Sequence, residues 1–515
     1  MTRALSYLKW IAISMIVISC ATLPKDVQRT PSTSLPPDPN TSLSKYIKSK
    51  LQGHHDQSGF HPLFSGEDAF VARIASIRTA EKSLDLQYYI WNNDMTGNLM
   101  LHEVLLAADR GVRVRVLLDD LNSGKFEKQL RVLASHPQIE IRMANPFASR
   151  GWKIFEIGRL KEVNRRMHNK VIIADSEVGI VGGRNIGDEY FSASNEMNFG
   201  DLDLWTIGPV VPSLSKEFDL YWNSEFAYPI ESLVKKNPAP EDLTKIRTLL
   251  SEAAQKALGT PYTRGLKDSQ LVNDFAKGSI KTFWGEGRVV YDTPEKLRQP
   301  ANEQDDNLHV QLRPYLEKST KEIFMVSPYF VPLDGGVKYL TGKVSSGIRI
   351  VILTNSLASS DVSGVFGGYK GYRKKLIRGG VELYELRPKI QPDKKKAKRT
   401  WGSSGSHAGL HGKTMLFDER MIFVGSMNLD PRSAYLNSEM GVVVDSEEMA
   451  KDFTHRLKDD LNEVAFHLTL DEKDNLVWTT FNSGHKKTFT SEPETSWWQR
   501  VKVSIMSVFI PEREL

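Results

Sequence analysis

Between residues 80 and 145 the apolar positions follow two different rhythms. LDLQYYIW (84–91) and VRVRVLLDD (112–120) are short runs rich in β-branched and aromatic side chains, and each predicts a strand. Between them LMLHEVLLAADR (99–110) returns an apolar residue every three to four positions and stops at Gly111, which predicts an amphipathic helix with a glycine at its C-terminal end. Strand, helix and strand in that order predict a parallel pair joined by a crossover.

The same order returns later. IFMVSPYFV (323–331) precedes a helical stretch, VKYLTGKVSSG (337–347), and a second strand, IRIVILTNS (348–356). Gly-Val-Arg-Val at 111–114 is matched by Gly-Ile-Arg-Ile at 347–350. Next come QLRVLASHPQIEIRMANP (129–146) and KKLIRGGVELYELRP (374–388), each a helix followed by a strand. A period this long predicts a duplicated α/β domain rather than a solenoid. Residues 225–300 match neither copy and predict an inserted, largely helical connection.

Polar residues are duplicated along with the apolar ones. HNKVIIAD (168–175) and HGKTMLFD (411–418) place His168, Lys170 and Asp175 at the spacing of His411, Lys413 and Asp418. Each pair is 243 positions apart (411 minus 168), and Gly182/Asn185 and Gly425/Asn428 follow at equal offsets. A duplication kept only for packing would preserve apolar residues, so these six motif residues form the candidate catalytic set. Period-2 alternation puts each histidine and its lysine on one face. Asp175 and Asp418 fall at the far strand ends, where structural bonds near a turn are expected rather than chemistry.

Two histidines, two lysines and two asparagines suit phosphoryl chemistry. Lysine supplies cationic donors for phosphate oxygens, and Asn185 and Asn428 add neutral ones. Histidine titrates near neutrality, so one can attack phosphorus while the other protonates the leaving oxygen. No cofactor or metal is called for: the lysines can stabilise charge on a five-coordinate phosphorus, and a lysine two residues from each histidine would repel a cation.

Composition narrows the setting. The chain has 515 residues, 40% hydrophobic and 25% charged, which allows several cores and disfavours both wholesale disorder and a polytopic membrane protein. A net charge of +5 permits anionic partners without choosing among them. The most basic run, 389–399, predicts a solvated loop upstream of the second motif. Residues 1–19 have the shape of a secretory signal, and small residues before the lone Cys20 resemble a bacterial lipobox, so Cys20 is the expected lipidation site. A signal anchor with an incidental cysteine is the alternative. Ala21 in place of aspartate favours the outer membrane by the same resemblance. Residues 20–58, rich in Pro, Ser and Thr to about residue 44, predict an anchor and tether that bury no core. Near the other end, SWWQRVKVSIMSVFI (496–510) puts Trp497, Trp498, Val501, Ile505, Val508 and Phe509 on one helical face. That helix is either docked on the core or interfacial.

The doubled HxKxxxxD with downstream GxxN is the signature of the phospholipase D superfamily, which the chain resembles from about residue 59. VGGRNIGDEYF (181–191), DLDLWTIGPVV (201–211), GVELYELRP (380–388) and GSMNLDPRSAYLNSEMG (425–441) are similar to the cardiolipin synthases of the bacterial C type. The resemblance implies two duplicated phospholipase D-like α/β sandwich domains packed as a pseudo-twofold dimer within one chain. These would span 59–224 and 301–465, with a C-terminal extension at 466–515. It also implies a phosphohistidine intermediate, with His168 as nucleophile and His411 as general acid, and acidic residues that orient the histidines. Glu439 fits that role beside His411, and Asp201 fits it in the first copy better than Glu196, although Gly200 departs from the family pattern. Ser426 joins them as a candidate phosphate-binding or orienting residue. The implied reaction is phosphatidyl transfer from phosphatidylethanolamine to phosphatidylglycerol. A hydrolytic phospholipase D or a periplasmic nuclease would use the same residues, but no basic stripe interleaved with aromatics predicts a nucleic-acid partner. The expected location is the cell envelope, facing the periplasm. The partners the resemblance implies are membrane phospholipids, phosphatidylglycerol and phosphatidylethanolamine.

Overall fold

The computed structural model describes residues 22–124, 126–150, 159–267, 269–298, 307–388, 407–482 and 484–509. Cys20 and the basic run at 389–399 lie outside them.

The strands of the first repeat are β1 (Ser58–Leu63), β2 (Ser83–Tyr88), β3 (Arg113–Asp119), β4 (Ile139–Ala144), β5 (Val171–Ala174), β6 (Val178–Gly182), β7 (Met197–Gly200), β8 (Asp203–Ile207) and β9 (Ala227–Pro229). Those of the second are β10 (Phe283–Tyr291), β11 (Glu322–Val326), β12 (Arg349–Asn355), β13 (Glu382–Leu386), β14 (His407–Leu410), β15 (Thr414–Phe417), β16 (Met421–Gly425), β17 (Met440–Asp445) and β18 (Ala465–Leu470), followed by β19 (Leu476–Asn482) and β20 (His485–Phe489). Eighteen of them form one sheet. Traced through its pairings, the order is β9-β4-β3-β2-β5-β6-β8-β1-β10-β17-β16-β15-β11-β12-β13-β18-β19-β20.

Read outward from the β1–β10 junction, the two sides repeat each other, which is the expected pseudo-twofold. In each repeat three strands run parallel (β2-β3-β4 and β11-β12-β13) and their neighbours antiparallel. The parallel strands are buried almost throughout, in keeping with their near-continuous apolar runs. The predicted crossover helices are Met95–Asp109 and Leu333–Ser345. Gly111 and Gly347 follow them at φ 91° and 89°, the left-handed turn that favours glycine. Of three apolar cores, the central one draws on both repeats, including Phe60, Trp222, Leu353 and Phe453, and welds the halves together.

Three expectations change. The second repeat begins at β10, inside the stretch read as a connection. Its sequence, FWGEGRVVY, breaks apolar alternation with two glycines, a glutamate and an arginine, and hid the strand. The rest of that stretch holds β9, paired with β4 of the first repeat, and the helices Pro240–Leu258, Pro261–Lys267 and Gln270–Lys277. The strand predicted at 323–331 stops at Val326, because Pro328 cannot donate to a ladder. The segment expected to be a tether burying no core is not free: residues 29–35 lie along the first repeat, pinned by polar groups, and the helix Ser42–Lys50 buries Leu43 and Ile47 in that repeat's core. Arg142 donates to Thr30 O at 2.6 Å, Trp222 Nε1 to Ser32 Oγ at 2.9 Å, and Ser34 N to Asp219 at 2.9 Å. A segment with few apolar residues can still dock where buried arginines and a carboxylate need partners.

No helix among the described residues is long and apolar enough to cross a membrane.

Candidate active site

Each motif histidine comes just before a strand in the middle of its repeat, β5 for His168 and β15 for His411. What holds it there comes from the other repeat. His168 N donates to Ser438 O at 2.9 Å, and its Nδ1 bonds the carboxylate of the next residue, Glu439, at 2.8 Å. His411 N donates to Gly200 O at 2.8 Å, and its Nδ1 bonds the next residue, Asp201, at 2.6 Å. A small parallel sheet of β7 and β14, separate from the large one, carries the second exchange. Glu439 therefore orients His168, not the His411 of its own repeat, and Asp201 orients His411. The sequence offset could not reveal this swap, since it arises only when the pseudo-twofold brings the two strand ends together. Glu196 is exposed and bonds neither histidine.

A carboxylate accepts, so Nδ1 carries the ring proton and Nε2 is left for chemistry. Tyr89 lies edge-on to His168 at 4.8 Å between ring centroids, and Tyr190 edge-on to His411 at 5.1 Å. Phe199 is 5.3 Å from the His411 ring. These three rings were missed by sequence reasoning, although Tyr190 lies in a stretch noted for its resemblance.

The lysines lie beneath the histidines. Lys170 Nζ donates to His168 O at 2.5 Å, and Lys413 Nζ bonds His411 O and approaches His411 Nδ1 at 3.1 Å. Ser426 Oγ donates to Glu439 at 2.5 Å, so it orients the orienting group, and Ser433 Oγ donates to the other carboxylate oxygen at 2.7 Å. Asn185 Oδ1 accepts from Ile90 N at 3.2 Å. Asn428 Oδ1 is buried with no hydrogen-bond partner.

Asp175 and Asp418 take no part in this cluster. Each sits at positive φ in a turn, 50° and 57°. Asp175 accepts the backbone N–H groups of Glu81, Lys82 and Ser83, and Asp418 those of Thr320, Lys321 and Glu322. Their place among the candidate catalytic residues is corrected to anchorage of the motif strands.

The electrostatics have one theme, burial, which works against every charged group of the cluster. Burial first, then Lys413, brings the Lys170 ammonium down to about 7, although Glu439 opposes the fall. Burial also lowers Lys413. Burial and Lys413 take His411 to about 4, and burial with both lysines holds His168 well below its ordinary value. Burial alone would raise Asp201, but His411 and Lys413 outweigh it and keep it ionised at about 2. Glu439 is pushed up to about 7 by burial. An anion placed between the histidines would restore charge to the cations around it.

Both repeats match the family model described as cardiolipin synthase, PLD-like domain, over residues 74–222 and 312–461. The chain belongs to this family. It is 40% identical over 457 residues to cardiolipin synthase C of Escherichia coli K12, covering 88% of this chain and 96% of that one. A cardiolipin synthase of Staphylococcus aureus is 24% identical over 77% of this chain and 66% of its own. Among solved structures, the phosphatidylserine synthase of Haemophilus influenzae superposes with a TM-score of 0.56 at 13% identity, over 91% of this chain and all of that one, a likeness of fold. The chain is thus a phosphatidyltransferase of the phospholipase D type with cardiolipin synthase-type function.

Proposed function

We propose that the enzyme makes cardiolipin by moving a phosphatidyl group from phosphatidylethanolamine to phosphatidylglycerol through a phosphohistidine, at the periplasmic side of the cell envelope, anchored by a lipid on Cys20. The observation that supports the chemistry best is the pair of cross-repeat His–carboxylate bonds within a buried cluster that also holds Lys170 and Lys413, a setting suited to a phosphodiester. The lipids follow from the resemblance to cardiolipin synthases of the C type.

His168 Nε2 attacks phosphorus and forms the N–P bond as the P–O bond to ethanolamine breaks. His411, protonated when the phosphate anion is bound and held by ionised Asp201, gives that oxygen its proton. Neutral His411 then takes a proton from a glycerol hydroxyl of phosphatidylglycerol. The freed oxygen bonds to phosphorus, the N–P bond breaks, and His168 is regenerated. Lys170 and Lys413 stabilise charge on the five-coordinate phosphorus without a metal. The C-terminal helix Trp497–Phe509 supports a membrane substrate: it packs through Val503, opposite the tryptophan face, and leaves Trp497 and Trp498 59% and 72% exposed.

The test is full-length protein with both lipids in detergent and a chelator, read by lipid mass spectrometry. Cardiolipin and free ethanolamine are expected. Phosphatidic acid alone would overturn the synthase reading in favour of hydrolysis, and loss of activity with chelator would overturn the metal-free mechanism.

A further inference from the structure

A second basic site, lined by neither histidine, lies at the β9 edge of the sheet. It is a cleft of about 590 Å³ whose walls carry Arg159, Lys161, Arg165 and Arg298, with Phe226 and Tyr228 as aromatic surface. Two carboxylates also line it, and each has a cation: Glu162 accepts from Arg159 at 2.9 Å and Glu225 pairs with Arg298 at 2.7 Å. Two cations are left over. No carboxylate among the described residues pairs with Lys161, which is exposed, or with Arg165, which is half-buried. Arg165 is nevertheless fixed, donating to Lys296 O at 2.6 Å, and burial without a counter-charge lowers its proton affinity. Next to the cleft, Arg29 bonds Ala227 O at 3.1 Å and lies 4.3 Å over the ring of the lining Tyr228. A fixed guanidinium, an exposed ammonium and an aromatic wall suit a phosphate ester carrying an organic group.

Leu23 also lines this cleft. It follows Cys20 by three residues, a reach of at most roughly 10 Å. A lipid on Cys20 would therefore hold the cleft against the bilayer surface.

We propose that this cleft binds a phosphate ester anion, supplied as the headgroup of an anionic phospholipid of the anchoring membrane, and so docks the enzyme on the lipid it works among. The lipid source rests on the envelope reading above; the phosphate chemistry does not.

The test compares full-length wild type with Lys161→Gln/Arg165→Gln, using phosphatidylcholine vesicles with and without phosphatidylglycerol. Each cation near such a surface is worth about 1 kcal/mol, about fivefold, so the double variant should bind anionic vesicles about 25-fold more weakly. Lys486→Gln/Lys487→Gln removes the same charge from β20, at the opposite edge of the sheet, and should change binding less than about twofold. Equal losses in the two double variants would overturn the proposal in favour of general attraction to the surface. Should Arg165→Gln fold poorly, Lys161→Glu tests the same cleft from an exposed position, and unchanged vesicle binding there would overturn it too. Glycerol phosphate that displaces the wild type from vesicles, with the effect lost in Lys161→Gln/Arg165→Gln, would support the site and show that soluble esters enter it. Vesicle binding unaffected by glycerol phosphate would support the lipid headgroup alone. Transfer in detergent is measured alongside: wild type that binds vesicles but makes no cardiolipin refutes the function proposed above and leaves this site standing.

Discussion

The Nδ1 of His168 bonds Glu439 of the other repeat at 2.8 Å, while Asp201 of the first repeat bonds Nδ1 of His411 at 2.6 Å. Neither repeat therefore contains a complete histidine–carboxylate pair, and removing one carboxylate disables the histidine across the pseudo-twofold. With His411 as the acid, Asp201→Asn should lower kcat about 100-fold for ethanolamine release, and much less for a nitrophenyl ester whose leaving group needs no proton. Glu439→Gln weakens the nucleophile, so both substrates should slow together. The opposite pattern would make His411 the nucleophile.

Lys170 predicts the alkaline limb. Burial has brought its ammonium to about 7, and its charge is required, so kcat/KM of the free enzyme should fall as pH rises through about 7. In Lys170→Arg the guanidinium stays charged, so the limb should move up by more than one pH unit even though the maximal rate falls. A limb that stays in place in pH–rate profiles would assign it to another group.

The two strand–helix–strand frames were legible in the sequence because parallel strands buried on both faces are written as apolar runs, and Gly111 and Gly347 end their helices visibly. The motif was legible because it is doubled. Its wiring was not. Which carboxylate meets which histidine depends on how two repeats dock, and nothing local to Asp201 or Glu439 encodes that. The strand β10 was hidden by Gly285 and Gly287, whose neighbours leave no room for side chains: a Cβ at Gly285 would lie 2.3 Å from Asp445 O. The docked segment around Ser32 was hidden for the opposite reason, since its anchors Arg115, Arg142 and Asp219 look like surface residues until the fold buries the two arginines and half-buries the aspartate.

Asp418 predicts a stability effect without a catalytic one. Its carboxylate accepts three backbone N–H groups at 2.8, 2.8 and 3.0 Å. Burial would raise its pKa, but those bonds outweigh it and lower the group below 3.8. A depressed carboxyl stabilises the fold above its unfolded pKa, and the gain disappears as pH falls below it. Asp418→Ala should cost about 2 kcal/mol at pH 7 and less near pH 3, in urea titrations. Turnover per folded molecule should be unchanged; a large fall in kcat would return Asp418 to the catalytic set.

Glu217 predicts the reverse sign. It lies behind the site, where its Oε1 accepts from Asn169 Nδ2 at 2.6 Å, and Asn169 Oδ1 accepts from Ser438 Oγ at 3.0 Å, beside Glu439. Its Oε2 and the Oε1 of Gln87 are both buried without a partner. Burial raises the carboxyl to about 8, so the folded protein keeps a proton that the unfolded chain releases above 4.5. Stability at this position is therefore lost progressively as pH rises from about 4.5 to about 8. Glu217→Gln keeps the acceptor for Asn169, adds donors suited to Gln87, and removes the titration. It should match wild type near pH 4.5 and exceed it by on the order of 2 kcal/mol at pH 8. Urea midpoints at the two pH values decide it: parallel behaviour of the two proteins would mean that Glu217 is ionised in the fold and has a counter-charge.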